Sequence, residues 1–221
     1  MPRPHRICPD GVPQHIVNRG NLRATIFRKP EDYLGFIGGL ADAGERTAVR
    51  LLAFCVMPNH WHLVLWPVYG CEVSAYMQVL MNAHIRDLQR RHATAGTGHI
   101  YQGRYKNFAI LSDRHFINVV RYVEANPMCA GLVPRAEDWQ WSSLVRSGPA
   151  EGIDLLSAWP VRRPGAWLEH VNRPQGNRPI REIEARMKSN EQNARALLAW
   201  RRRSRSPEVA GTFAVKVPAT F

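Results

Sequence analysis

Two histidines, His60 and His62, lie two residues apart in the run His60-Trp-His-Leu-Val-Leu-Trp66. On a strand, side chains repeat every second residue, so both imidazoles leave the same face and Trp61 takes the other. That presents a ready pair of metal ligands. Two hydrogen-bonded histidines beside a turn would leave the same pattern. Sixty residues on, Tyr122 and Asn126 are four apart in a segment of helical character, so they too share a face. Tyr122 offers a phenol hydroxyl and Asn126 a carbonyl oxygen to one cleft. Each also has a plain structural role: a helical tyrosine packs with its hydroxyl in water, and asparagine before proline ends helices.

The elements that must position these residues are legible from periodicity. Residues 12–20, Val12-Pro-Gln-His-Ile-Val-Asn-Arg-Gly20, read as a short strand closed by a glycine turn. From Pro30, Tyr33, Leu34, Phe36, Ile37 and Leu40 fall at helical spacing, although the pair Gly38-Gly39 costs helix stability. Residues 50–57 are a nearly continuous apolar run, as expected of a strand covered on both faces. Pro58-Asn59 then suits a type II turn with positive φ at Asn59, making a hairpin that delivers His60 and His62. Residues 73–92 carry one apolar stripe and form a second helix, with His84 packed inside the stripe. Tyr101–Leu111 alternates as a fourth strand. Ser112 is an N-cap for a third helix that runs to about Asn126, where Pro127 sets the end. His115 and Glu124 carry no catalytic assignment.

The order β-α-β-β-α-β-α predicts an α+β fold of the ferredoxin-like, split βαβ kind. An antiparallel sheet would carry its helices on one face and be followed by a basic C-terminal extension. The organisation expected is a catalytic domain over 10–150, a partly helical extension over 151–200 in contact with DNA, and a basic flexible tail over 201–221.

Charge points to the partner. The 221-residue chain has a formal net charge of +12. Residues 1–160 hold 17 Lys+Arg against 13 Asp+Glu, whereas residues 161–221 hold 13 against 5. A basic balance so concentrated suits nucleic acid, and an acidic membrane surface would attract the same charges. No apolar run is long enough to span a bilayer, and the start lacks a secretory apolar stretch, so a cytoplasmic, nucleoid-associated protein is expected. Four cysteines without C-x-x-C spacing are read as reduced.

In combination the motifs carry a resemblance. Residues 55–66, Cys-Val-Met-Pro-Asn-His-Trp-His-Leu-Val-Leu-Trp, resemble the histidine–hydrophobic–histidine motif of the HUH single-strand nucleases. Arg121-Tyr-Val-Glu-Ala-Asn-Pro-Met-Cys-Ala-Gly-Leu-Val133 is similar to the tyrosine helix of one branch, the REP-associated tyrosine transposases. Tyr101-Gln-Gly-Arg-Tyr-Lys106 is similar to that branch's aromatic-Gln-x-Arg-aromatic segment. Asn18-Arg-Gly20 and Trp139-Gln-Trp-Ser-Ser143 fit its other landmarks in order. The resemblance covers roughly residues 10–190; beyond about Asn190 no match to the family's terminal region is found.

The resemblance implies a metal-dependent single-stranded DNA endonuclease and strand transferase acting on hairpin or palindromic DNA. It implies Mg2+ or Mn2+ held by His60, His62 and Asn126, with Tyr122 as the nucleophile that forms a 5′-phosphotyrosine. Imidazole ligands by themselves favour a transition ion such as zinc, and manganese would satisfy both expectations. Arg19, Arg104, Tyr105 and Lys106 are the candidate DNA contacts, combining phosphate-binding charge with a ring able to stack on an unpaired base or to pack on the sheet. The working unit would be a monomer or homodimer. Two other readings share these residues: a zinc hydrolase in which water attacks, and a non-catalytic DNA-binding descendant of the fold.

Overall fold

A computed structural model describes residues 8–93, 96, 98–145, 155–174 and 183. The chain forms β1 (Gln14–Arg19), α1 (Pro30–Glu45), β2 (Val49–Met57), β3 (His60–Pro67), α2 (Glu72–His92), β4 (Lys106–Ala109), α3 (Asp113–Cys129) and α4 (Trp167–Asn172). The four strands make one sheet in the order β2-β3-β1-β4, and each neighbouring pair is antiparallel. Each helical crossover therefore skips one strand position. This is the split βαβ arrangement expected from the element order.

The two faces of the sheet are covered differently. Ile16, Leu51, Phe54, Val56, Trp61, Leu63 and Leu65 meet α1 and α2 in one core. Leu52, Ala53, Cys55, Met57, Val64 and Trp66 meet Phe116, Val119, Val120 and Val123 of α3 in a second core. Helices on one face thus describes α1 and α2; α3 adds a layer on the other. The continuous apolar run of β2 already required cover on both sides. A register shift between Leu51 and Ala53 turns the parity of β2 within that run.

Local chemistry explains where the elements begin and end. Pro30 occupies the first turn of α1, where its missing N–H is not needed. The Asp32 carboxylate accepts the backbone N–H groups of Arg28 and Lys29 at 2.9 and 3.1 Å. Ser112 caps α3, its hydroxyl accepting the N–H of His115 at 3.3 Å. The expectation that Pro127 ends this helix is corrected: α3 continues to Cys129 with Pro127 inside it. Proline in the last turn removes one donor, but the Asn126 and Pro127 carbonyls accept from Ala130 and Leu132. The stop is Gly131, whose φ of +70° suits the left-handed end of a helix.

Two further expectations change. Met57 pairs with His60, so the hairpin is present, but Asn59 is not among the residues with positive φ and the turn is not type II. The turn is fixed from outside instead: the Pro58 carbonyl accepts the N–H groups of Ile26 and Phe27, and the Asn59 carbonyl that of Gly20. The fourth strand shrinks from 101–111 to Lys106–Ala109. Tyr101 makes only an isolated bridge to Gly20, and Asn18 Nδ2 donates to the Gly103 carbonyl at 3.2 Å, holding the chain in a bend there.

The outer edge of β2 is covered by later chain. Val56 and Phe54 bond to Trp141 and Ser143, and Leu51 accepts from Ser157. Trp159 and Trp167 continue the second core, and Trp159 Nε1 donates to the Leu52 carbonyl at 3.1 Å. Among the described residues no helix is long and apolar enough to cross a membrane. Residues 175–200 of the expected extension, apart from Ile183, and the tail over 201–221 lie outside the described residues.

Candidate active site

The site forms where the α3 face of the sheet meets α3 itself. In β3, His60 and His62 share the parity of Val64 and Trp66, which pack against α3. In α3, Tyr122 and Asn126 sit one turn apart and face that strand. The His60 Nε2 is 3.2 Å from Asn126 Oδ1, and the Tyr122 ring stands edge-on to His62 with centroids 5.5 Å apart. The two imidazoles lie 5.0 Å apart, nearly perpendicular. The four residues singled out from spacing therefore converge, although two come from a strand and two from a helix sixty residues later.

The site is dry. His60 and His62 are 8% and 2% exposed. Burial, then the charge of Arg19, pushes the His60 imidazole down to about 4, against a small opposing effect of Asn126. Burial, followed by His60, His15 and Arg19, holds His62 well below its ordinary value. Both rings are neutral at pH 7, the form that ligates a metal.

Two details bear on whether these residues fit a cation. The buried His62 Nε2 has no hydrogen-bond partner. His60 also lies between two amide oxygens, Asn59 Oδ1 at 2.7 Å from Nδ1 and Asn126 Oδ1 at 3.2 Å from Nε2. A neutral imidazole has one N–H, so it cannot donate to both. With Nδ1–H directed to Asn59, the Nε2 lone pair meets the Asn126 oxygen. A cation bound between them would relieve that opposition. The donor set is two imidazoles and one amide oxygen. Among the described residues no group of three or more His, Cys, Asp or Glu is arranged for a metal.

Sequence reasoning missed His15. It projects from β1 onto the same face, with Nε2 2.9 Å from His62 Nδ1 and the two rings edge to edge, centroids 5.1 Å apart and 21° between planes. The ring also meets the edge of Tyr122 at 6.3 Å. Burial, then His115, pushes it down to about 3. Only the pairing register, with His15 opposite Val64 and Val17 opposite His62, reveals this neighbourhood.

A family model described as transposase IS200-like matches residues 10–126, more than half of the chain. The chain belongs to the IS200-like transposase family. The match spans β1 through Asn126 and so contains every residue of the constellation. A Haemophilus influenzae protein provisionally named a REP-associated tyrosine transposase is 25% identical over 130 residues, 54% of this chain and 73% of that protein. A solved structure of a REP-associated tyrosine transposase bound to a REP hairpin superposes with a TM-score of 0.55 at 20% identity. It covers 75% of this chain and 96% of the other, and at that identity the likeness establishes the fold.

The candidate DNA contacts of this transposase fall in two groups. Arg19 is exposed and pairs across the sheet with His60, while exposed Lys106 pairs with Val17, itself opposite His62. Both cations thus flank the constellation on its own face. Arg104 is exposed in the bend before β4, and half-buried Tyr105 packs against the core on the α1 and α2 side. Trp141 is core: it stacks on Tyr33 at 4.7 Å. Glu124, left without a catalytic role, is 1% exposed and accepts from Ser143 Oγ and Trp167 Nε1, each at 2.7 Å.

Proposed function

We propose that this transposase nicks and rejoins single-stranded DNA beside a hairpin or palindromic element, with Tyr122 as the nucleophile. The observation that carries the proposal is the convergence of half-buried Tyr122 and Asn126 with buried His60 and His62 on one face. Membership of a transposase family sets the reaction class, and a relative seen bound to a REP hairpin suggests the form of the substrate.

In this reading His60 Nε2, His62 Nε2 and Asn126 Oδ1 hold a divalent ion, Mg2+ or Mn2+. When bound, the ion polarises a non-bridging oxygen of the scissile phosphate. The α3 backbone holds the Tyr122 ring beside those ligands, from where its oxygen would attack a phosphate bound there. The Tyr122 oxygen forms a bond to phosphorus while the bond to the 3′ oxygen breaks. The phenol proton passes to water, and the departing 3′ oxygen takes one up to become a hydroxyl. The DNA 5′ phosphate is then a diester of Tyr122, and attack by another 3′ hydroxyl reverses these steps and rejoins the strand without ATP. Arg19 and Lys106 neutralise backbone phosphates on either side, with Arg104 and Tyr105 further along the strand. A cytoplasmic enzyme working on the nucleoid, as monomer or homodimer, fits this chemistry.

The test is a covalent adduct. Purified protein is incubated with labelled single-stranded hairpin DNA and Mn2+ or Mg2+, then run on a denaturing gel. A shifted band is expected for the wild type, absent in Tyr122→Phe and at least about a hundredfold weaker in His60→Ala, as for loss of a group that stabilises transition-state charge. Cleavage without an adduct, unaffected by Tyr122→Phe, would assign the attack to water. Binding without cleavage would make the chain a DNA-binding protein alone.

A further inference from the structure

Both candidate ligating histidines are gripped from behind by an atom of a residue outside the ligand set. His60 Nδ1 lies 2.7 Å from Asn59 Oδ1, and His62 Nδ1 lies 2.9 Å from His15 Nε2. We propose that Asn59 and His15 are positioning residues that each accept an Nδ1–H, fixing His60 and His62 in the tautomer that leaves both Nε2 lone pairs available to a cation. The inference rests on the metal-dependent reading above and extends it to two residues outside the ligand set.

The orientation of Asn59 is set independently. Its Nδ2 donates to the Arg23 carbonyl at 3.3 Å, which leaves Oδ1, an acceptor, against His60. His60 Nδ1 must then carry the proton. The Arg23 carbonyl is itself held in place: residues 20–24 form a tight loop pinned by Gly20 N–H to the Asn59 carbonyl and Asn21 N–H to the Ile100 carbonyl, both at 2.8 Å. For His62 the argument is one of cost. If His15 donated instead, His62 would carry its proton on Nε2, a buried donor with no acceptor, at about 1–3 kcal/mol. With His62 donating, Nε2 becomes a lone pair that a cation satisfies. The His15 and His62 rings lie edge to edge and close to coplanar, interplanar angle 21°, so the hydrogen bond runs in the plane of His62, as an Nδ1–H donor requires. Outer partners of this kind orient the ligand and raise its basicity.

The direct test needs no variant. In metal-free full-length protein at neutral pH, with 15N-labelled histidine, long-range 1H–15N correlations distinguish the two tautomers. The His60 and His62 signals are assigned by their loss in His60→Ala and His62→Ala. Both are expected as Nδ1–H; finding either ring protonated on Nε2 overturns the proposal. The second test is Mn2+ affinity, read from the free-ion electron paramagnetic resonance signal in the absence of DNA. His15→Leu and Asn59→Ala are expected to weaken Mn2+ binding by about 10- to 100-fold. His15→Gln, which restores an acceptor, is expected to recover most of it, a rescue that a merely space-filling role would not give. If His15→Leu fails to fold, Asn59→Ala at the surface turn and the tautomer measurement still decide. Unchanged Mn2+ affinity in both variants, with wild-type binding intact and lost in His60→Ala, overturns this proposal and leaves the catalytic reading standing. A wild type that binds no Mn2+ overturns both.

Discussion

His84 lies in α2 between the rings of Phe27, Phe36 and Tyr101, with its Nε2 buried and without a partner. Burial pushes it down to about 3, against the opposing pull of Asp87 and Asp32. In the unfolded chain the same ring takes a proton at its ordinary value of 6.5. Between those values the unfolded state binds more protons, so stability falls as pH drops, by up to about 1.4 kcal/mol per pH unit for each such group. His15, His60 and His62 act in the same direction. The melting temperature is therefore expected to fall from pH 7 to pH 5.5, and His84→Leu is expected to shrink that fall. An unchanged difference in thermal scans at the two pH values would show that His84 is solvated in the native state. At this scale the sequence disclosed the residues whose partners lie two or four positions away. His15 and Glu124 escaped because their partners come from other elements, and neither belongs to a spaced pair.

Helix α3 carries the proposed nucleophile and one proposed ligand, so its placement decides whether the site exists. Glu124 is its anchor. Its carboxylate ties α3 to Ser143, in the segment that covers the β2 edge, and to Trp167 of α4. Glu124→Ala would leave two buried donors unpaired, and a stability loss of about 2–4 kcal/mol in urea titration is expected. Adduct formation should fall as well, because α3 loses its tether. The glycine pair of α1 behaves unevenly. A Cβ on Gly38 meets nothing within 4 Å, whereas one on Gly39 meets Leu80 Cδ1 at 3.1 Å. Gly38→Ala is thus expected to stabilise by roughly 0.5–1 kcal/mol, and Gly39→Ala to give less or reverse sign, as measured by urea midpoints. Hydropathy periodicity located every helix of the sheet domain and the hairpin. It overextended the fourth strand because alternation continues through Gln102–Tyr105, where side-chain and backbone bonds to β1 bend the chain instead. Taking Pro127 as the end stopped α3 early, because proline is tolerated in a last turn whose remaining carbonyls find donors.

Over the whole chain, charge and chemistry are segregated. The sheet domain holds the constellation, while residues 161–221 hold 13 Lys+Arg against 5 Asp+Glu. Phosphate contacts release counterions, so hairpin affinity should fall steeply with salt. Removing residues 201–221, which contain five Lys+Arg, is expected to flatten the slope of log affinity against log salt, with adduct formation on saturating DNA preserved. Fluorescence anisotropy over a salt series measures this; an unchanged slope would mean the tail makes no phosphate contacts. The constellation itself is shared between two stretches of chain. His15, His60 and His62 precede the end of α2, and Tyr122 and Asn126 follow the start of β4. A break between α2 and β4 would separate the proposed nucleophile and Asn126 from the three histidines. The two halves could rejoin through β1 pairing with β4 and α3 packing on β2. On the proposed reading the transposase is thus a natural candidate for splitting, because adduct formation would require its two halves to meet.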